Sequence, residues 1–177
     1  MVASELISDR LIYKPLSLAH LSHHYVSWMN DKEVIKYLDS GGDYTIEKLE
    51  DFLNDVEKKE ILFWAIHLKE SGKHIGNIKI DPINKKNGLG EYGIMMGDRS
   101  EWGKGYAKEA SQTVIQYCFN QLKLRKITLG VVENNESAVE LYKAMSFEIE
   151  GIYKRHGFYN GVLCNVLRMA LFSSEEI

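Results

Sequence analysis

Proline is almost absent from this chain of 177 residues, with only Pro15 and Pro82 present. There is also no Ser-rich tract, no low-complexity run and no internal repeat, so nothing marks a linker. Residues 1–177 therefore read as one domain, long enough to bury a sizeable core. Cysteine is equally scarce. Cys118 and Cys164 are too few for a disulfide framework, and both lie in apolar segments, so two buried, reduced thiols are expected. No apolar run approaches the ~20 residues that a bilayer span requires, and "MVASELISDRL" has no basic-then-apolar leader pattern. A soluble, cytoplasmic protein with no membrane partner is the expectation. Basic excess is missing too: the net charge of −3 gives no electrostatic footprint for nucleic acid.

What is present is a change of hydrophobic period along the chain. "RLIYKPL" (10–16) reads as a first strand ending near Pro15, and Leu18, Leu21, Tyr25 and Trp28 then recur at helical spacing. "DKEVIKYL" (31–38) reads as a second short helical piece, broken by "GGDYT" (41–45). Thr45 can cap a further helix to about Glu60. "ILFWAIHL" (61–68), "HIGNIKID" (74–81) and "LGEYGIMMG" (89–97) follow as strands. Next come a helix with Ala107, Ala110, Val114, Tyr117 and Cys118 on one face, the strand "KITLGVV" (126–132), and the helix "ESAVELYKAM" (136–145). A closing hairpin turns at Asn160-Gly161, a strong two-residue turn signal. The expected fold is α+β in three layers, with a mixed, mostly antiparallel sheet of about six to seven strands and helices on both faces.

One stretch resists a purely structural account. "SEWGKGYAKEA" (100–110) sets Gly103, Gly105 and Ala107 at alternate positions directly before a helix, although glycine there costs up to ~1 kcal/mol relative to alanine. A glycine turn that opens a helix gathers backbone N–H groups in one concavity at the positive end of the helix dipole, which suits phosphate oxygens. No Gly-Lys-Ser/Thr completes a Walker loop, and Lys108 stands where a dinucleotide fingerprint needs a small residue. The glycine spacing alone leaves a tight strand-to-helix turn as an open alternative.

"EYGIMMGDRSEWGKGYAKEA" (91–110) resembles the acetyl-CoA motif of the GNAT superfamily of N-acetyltransferases. The family pattern falls on Trp102, Gly103, Lys104, Gly105, Tyr106 and Ala107, with Trp102 in place of the usual Gln or Arg. "VVENNESAVELYKAMSF" (131–147) is similar to the second motif at the family's spacing, on Asn134, Ser137 and Tyr142, with Ser146 where glycine is usual. The resemblance covers about the whole chain and is nearest to the ribosomal-protein N-terminal acetyltransferase branch. It implies that acetyl-CoA is the co-substrate and that its diphosphate sits on the amides from about Gly103 to Ala107. It also implies a pantetheine arm paired along residues 91–97, with an amide near Met95 or Met96 polarising the thioester carbonyl. Asn134 would contact the pantetheine or position the helix start beside Ser137. Tyr142 would protonate the departing thiolate, and Glu91, on the strand beside the thioester, is the candidate base for the attacking amine.

Other groupings remain around this core. His20, His23 and His24 have helical metal spacing but no Cys or Glu partner, so no metal is expected. Cys118 as an acyl carrier is weaker still, because it faces the core stripe. Residues 31–60 hold ten carboxylates against five lysines, a net −5 that would steer a cationic acceptor inward; solvated helix faces explain the same charges. The acceptor stays open among a protein N-terminus, a polyamine, an aminoglycoside and an amino sugar, and a homodimer stands among the partner expectations. A non-catalytic acyl-CoA-binding or sensing module on the same fold is the alternative function, and a nucleotide-binding protein using the same phosphate nest is a further one.

Overall fold

The computed structural model describes residues 3–59, 61–159 and 161–174. Its elements run β1 (Leu6–Ile7), β2 (Leu11–Pro15), α1 (His23–Asn30), α2 (Ile46–Lys59), β3 (Leu62–Leu68), β4 (His74–Asn84), β5 (Leu89–Met96) and α3 (Tyr106–Asn120). The chain continues through β6 (Lys126–Val132), α4 (Glu136–Ala144), β7 (Glu148–Tyr159) and β8 (Val162–Phe172). Eight strands among the described residues form one sheet in the order β1-β2-β3-β4-β5-β6-β8-β7. The pairs β1–β2, β2–β3, β3–β4, β6–β8 and β7–β8 are antiparallel, and β5–β6 is parallel. The strand beyond the expected six to seven includes β1, whose two residues are too short to show a period.

The chain divides into two compact units. One comprises the residues up to Asp81 with Gly93–Val114; the other comprises Pro82–Tyr92 with the residues from Ile115 on.

In the first unit, β2 and β3 alternate about the sheet. Tyr13 pairs with Ile66 on one face, while Ile12 pairs with His67 and Lys14 with Ala65 on the other. The latter face meets α1 and α2, where Tyr25, Trp28, Met29, Leu49, Leu53 and Val56 close over Ala65. Leu49 and Leu53 are fully buried, each contributing ~1.5–3 kcal/mol of transfer free energy. Thr45 caps α2 as its sequence suggests, because its Oγ1 accepts the Lys48 amide at 3.3 Å. The helix ends at Lys59, and the expected end at Glu60 lies outside the described residues.

Two local expectations fail here. The apolar stripe from Leu18 to Trp28 is not one helix: Leu18–His20 forms a single 3-10 turn, and Ser22 caps α1 by accepting the Tyr25 amide at 3.2 Å. Residues 31–38 form turns rather than a helix. Asp31 draws the Glu33 amide onto its own side chain at 2.9 Å, a local bond that competes with helix continuation.

In the second unit, β6 packs Ile127, Leu129 and Val131 into the core with Leu167 and Met169 of β8. Registered β5–β6 pairs run from Leu89–Lys126 to Glu91–Thr128, while β6 continues to Val132. The β7–β8 hairpin is present, and Gly161 takes the left-handed φ of 78° that such turns favour. Asn160, the other half of the expected turn, lies outside the described residues. Cys118 and Cys164 are buried free thiols, and burial pushes the Cys118 thiol up to about 12.

Candidate active site

The expected coenzyme residues of the first unit lie between the end of β5 and the first turn of α3. Gly97 follows β5 directly, and a Cβ there would fall 2.1 Å from the Trp28 ring, so only glycine lets α1 close against this segment. Asp98 then starts a 3-10 turn by accepting the Ser100 amide and hydroxyl at 3.0 and 2.6 Å. Trp102 closes it, donating its backbone N–H to Arg99 at 3.2 Å and its indole N–H to the Met96 carbonyl at 2.9 Å. The residue that departs from the family pattern thus ties the end of β5 to the turn.

Gly103 and Gly105 both adopt left-handed φ angles, 75° and 81°, which L side chains enter at a cost. This reversal aims the chain into α3, whose helical bonding begins with the Glu109 amide on the Gly105 carbonyl at 3.2 Å. Among the described residues, the amides from Gly103 to Ala107 donate to no backbone carbonyl. They are the orphan donors of a helix N-terminus, grouped about two positive-φ glycines, an arrangement that suits an anion. Lys104 turns its ammonium to Glu101 at 2.7 Å, and the Tyr106 ring lies under the Arg10 guanidinium, 4.5 Å from ring centroid to Cζ. Met95 packs against the α1–α2 core, whereas Met96 offers its carbonyl to Trp102.

The remaining expected residues belong to the second unit. Glu91 accepts from the Thr128 hydroxyl at 2.5 Å and from Arg168 Nη2 at 2.7 Å, both on Oε2. Arg168 in turn sits 5.8 Å over the Tyr153 ring. Tyr142, on α4, is buried beside Tyr92 and Phe147, with both ring centroids at 5.7 Å. Burial pushes its phenol up to about 12, against the smaller effect of a side-chain hydrogen bond with Tyr92. Such a group keeps its proton throughout the neutral range and can only act as a donor there.

Asn134 occupies the turn after β6. The residue that starts α4 is Asn135, whose carbonyl accepts the Ala138 and Val139 amides at 3.1 and 3.0 Å. Ser137, exposed in the first turn, donates to the Asn135 side chain at 3.3 Å.

Sequence reasoning missed two features. Ser8 and Arg10, between β1 and β2, donate to Glu109 of α3, a pairing between residues about a hundred positions apart, and Arg10 also reaches the Lys104 carbonyl. A cavity of about 330 Å³, lined by Asp9, Arg10, Leu68, Lys69, Glu70 and Tyr106, opens along the same wall. The second is a histidine cluster. His20 does not stand with His23 and His24 at a metal site; its ring packs 5.2 Å from His67 and 5.3 Å from His74. Burial drives His67 down to about 4 and His74 to about 3. Among the described residues, no group of three or more His, Cys, Asp or Glu side chains is placed to hold a metal ion.

A glycine turn whose amides lack backbone partners, opening a helix, suits an anionic ligand such as a diphosphate. Residues 10–148 match the acetyltransferase (GNAT) domain, and the chain belongs to that family of N-acetyltransferases, whose co-substrate is acetyl-CoA. It is 29% identical over 174 residues to the uncharacterized N-acetyltransferase p20 of Bacillus licheniformis, covering 96% of this chain and 97% of that one. It is 31% identical over 106 residues to the spermidine N(1)-acetyltransferase of Escherichia coli, covering 60% of this chain and 56% of the relative. The fold superposes with a TM-score of 0.85 on the Vibrio cholerae spermidine N-acetyltransferase solved with CoA and spermine, at 24% identity over 94% of this chain and 98% of that one.

Proposed function

We propose that this enzyme acetylates a primary amine on a small polycation, a polyamine above all, by direct attack on acetyl-CoA. The observation that carries the coenzyme half is the turn at Gly103–Ala107, a positive-φ backbone at a helix N-terminus whose amides, among the described residues, donate to no backbone carbonyl. The diphosphate rests there, and the amides about Met95 and Met96 meet the thioester carbonyl. Asn134 and Ser137 line the approach of the pantetheine arm. Support for the acceptor comes from the carboxylate excess of residues 31–60 and from the relatives named as spermidine acetyltransferases. An acidic rim concentrates a polycation more strongly than a neutral amine. A ribosomal-protein N-terminus is the competing acceptor that the sequence resemblance favours.

In the reaction, the free amine nitrogen attacks the thioester carbon, the C–S bond breaks, the thiolate takes the Tyr142 proton, and the proton then shed by the acylated nitrogen returns through water to the phenolate. Burial raises the phenol's proton affinity, and the same exclusion of water raises that of the thiolate, which keeps the transfer feasible. The amine, with a solution pKa of ~10, must first lose a proton. We assign that proton to Glu91 through a water; Oε2 itself is taken by the Thr128 and Arg168 donors.

The chain acts in the cytoplasm on this reading, in keeping with two buried free thiols. No helix among the described residues is long and apolar enough to cross a membrane. It works as a homodimer through the β7–β8 hairpin, where Ile149, Ile152, Tyr153, Phe158 and Val162 are exposed. Sedimentation as a monomer at micromolar concentration would remove that assembly.

The deciding experiment is CoA release with acetyl-CoA against spermidine, spermine, an aminoglycoside, a nucleotide amino sugar and a ribosomal-protein N-terminal peptide. Polyamine turnover at least ~10²-fold above the other acceptors in kcat/KM, a difference of a few kcal/mol, supports the proposal. Turnover only with the peptide overturns the acceptor. CoA binding with no turnover of any acceptor means a sensing module. Tyr142→Phe should lower kcat by ~10²–10⁴-fold, as loss of a general acid does, while leaving CoA affinity in place.

A further inference from the structure

We infer that Arg10 is a positioning residue of the diphosphate turn: it cancels the charge of Glu109 beside the turn's amides and clamps the Lys104 carbonyl behind them. The inference rests on the coenzyme reading above and adds to it a residue from the far N-terminal part of the chain.

The geometry is specific. Glu109 lies in the first turn of α3, one turn past the glycines, with its side chain only 15% exposed. Its Oε1 accepts from the Ser8 hydroxyl and the Arg10 backbone amide, each at 2.7 Å, and its Oε2 accepts from Arg10 Nε at 2.7 Å. The same guanidinium sends Nη1 to the Lys104 carbonyl at 2.9 Å. Its plane covers Tyr106, and Nη2 stands 3.6 Å from where a Cβ on Gly105 would project. A single arginine therefore holds Glu109 of α3 together with the Lys104 carbonyl and the Tyr106 ring of the turn. The two-residue strand β1 has a use in this arrangement, because it folds the Ser8–Arg10 connection back onto α3.

A carboxylate in a first helical turn is favourable in isolation, because it complements the dipole. Here it competes with the ligand: an anion one turn from the amides repels a diphosphate across a path that is partly open to solvent. Pairing with Arg10 removes that repulsion without giving up the carboxylate's hold on the β1–β2 connection. Holding the Lys104 carbonyl outward also keeps it from turning its own partial negative charge into the concavity.

The test is steady-state kinetics and CoA titration on the full chain. Arg10→Gln should raise KM for acetyl-CoA and Kd for CoA by about tenfold, with kcat altered less than about twofold. The defect should shrink as salt rises, because screening weakens the uncovered charge of Glu109. Adding Glu109→Gln to Arg10→Gln should bring most of the affinity back, and S-acetylpantetheine, which lacks the diphosphate, should show no KM defect in either variant. An unchanged KM in Arg10→Gln, a double variant no better than the single one, or an equal defect with S-acetylpantetheine would overturn the inference. Should Arg10→Gln not fold, Glu109→Gln alone decides: it leaves a guanidinium without its counter-charge, and tighter CoA binding is expected where weaker binding would refute. Wild-type protein that fails to bind CoA would instead sink the coenzyme reading itself, before any variant is compared.

Discussion

Ser146→Gly should make this enzyme more stable, although it deletes a side chain. The chain leaves α4 through a left-handed residue: Ser146 has φ 67°, its amide donates to the Lys143 carbonyl at 2.9 Å, and the Phe147 amide reaches back to Tyr142 at 3.0 Å. Those two bonds, with the Phe147 ring 5.7 Å from Tyr142, make a Schellman closure whose left-handed position favours glycine. A non-glycine residue there costs roughly 1–2 kcal/mol. Glycine returns ~0.5–1 kcal/mol of that through its greater freedom when unfolded. The net expected gain is about 0.5–1 kcal/mol, equivalent to a rise in Tm of about 1–4 °C for a chain of this size. Calorimetry and urea unfolding of Ser146→Gly and Ser146→Ala measure it directly. Alanine keeps the backbone penalty, so it should gain nothing. A glycine variant less stable than wild type, or an alanine variant stabilised as much, would refute the strain argument.

Two further outcomes are expected. Glu91→Gln should lower the rate at neutral pH, with a smaller defect at high pH where the amine is already neutral. The loss of its ion pair with Arg168 should also cost ~1 kcal/mol of stability, read from urea unfolding; a stability loss with an unaltered pH–rate profile would make Glu91 a strut and not a base. Stability should also fall on acidification because of the histidine cluster. Folded His67 and His74 hold pKa values of about 4 and about 3, below the ordinary 6.5, so the unfolded chain binds protons first. Their contribution is complete above pH 6.5 and is lost as pH falls from there toward 4, at up to ~1.4 kcal/mol per pH unit for each histidine. Urea unfolding at pH 7, 6 and 5 measures the slope. A midpoint that stays flat across this range would show that the cluster opens to water at little cost.

The glycine turn before α3 and most of the sheet were legible in the sequence, because both are written in local pattern. The strand-like runs at 61–68 and 126–132 announce strands that the fold keeps to within a residue. The spacing of Gly103 and Gly105 announces a backbone that only positive φ explains. What stayed hidden depends on contacts between distant residues. Nothing near position 10 points to position 109, and His20, His67 and His74 meet only because two strands and a 3-10 turn converge. Residues 31–38 misled for the opposite reason. Their helical period is real, but Asp31 spends its side chain on the Glu33 amide and the segment settles into turns.

The two places where the chain departs from the usual residues of the family it resembles show how other side chains can hold the local backbone. Trp102 lacks the guanidinium or amide common at its position, yet its indole N–H holds the Met96 carbonyl at 2.9 Å and so joins the strand end to the turn. Ser146 lacks glycine's freedom, yet it accepts φ 67° and makes both closing bonds behind Tyr142. In each case the residue present supports its local backbone course in its own way. A phosphate held by main-chain amides, and a tyrosine aimed by the end of its helix, depend on that course far more than on residue identity. It follows that substitutions forcing a new backbone path, such as Gly105→Val at φ 81°, should weaken coenzyme binding more than polar changes at exposed Lys104 or Ser137. Equal CoA dissociation constants for Gly105→Val and wild type would show that side chains, not the chain's course, carry the binding.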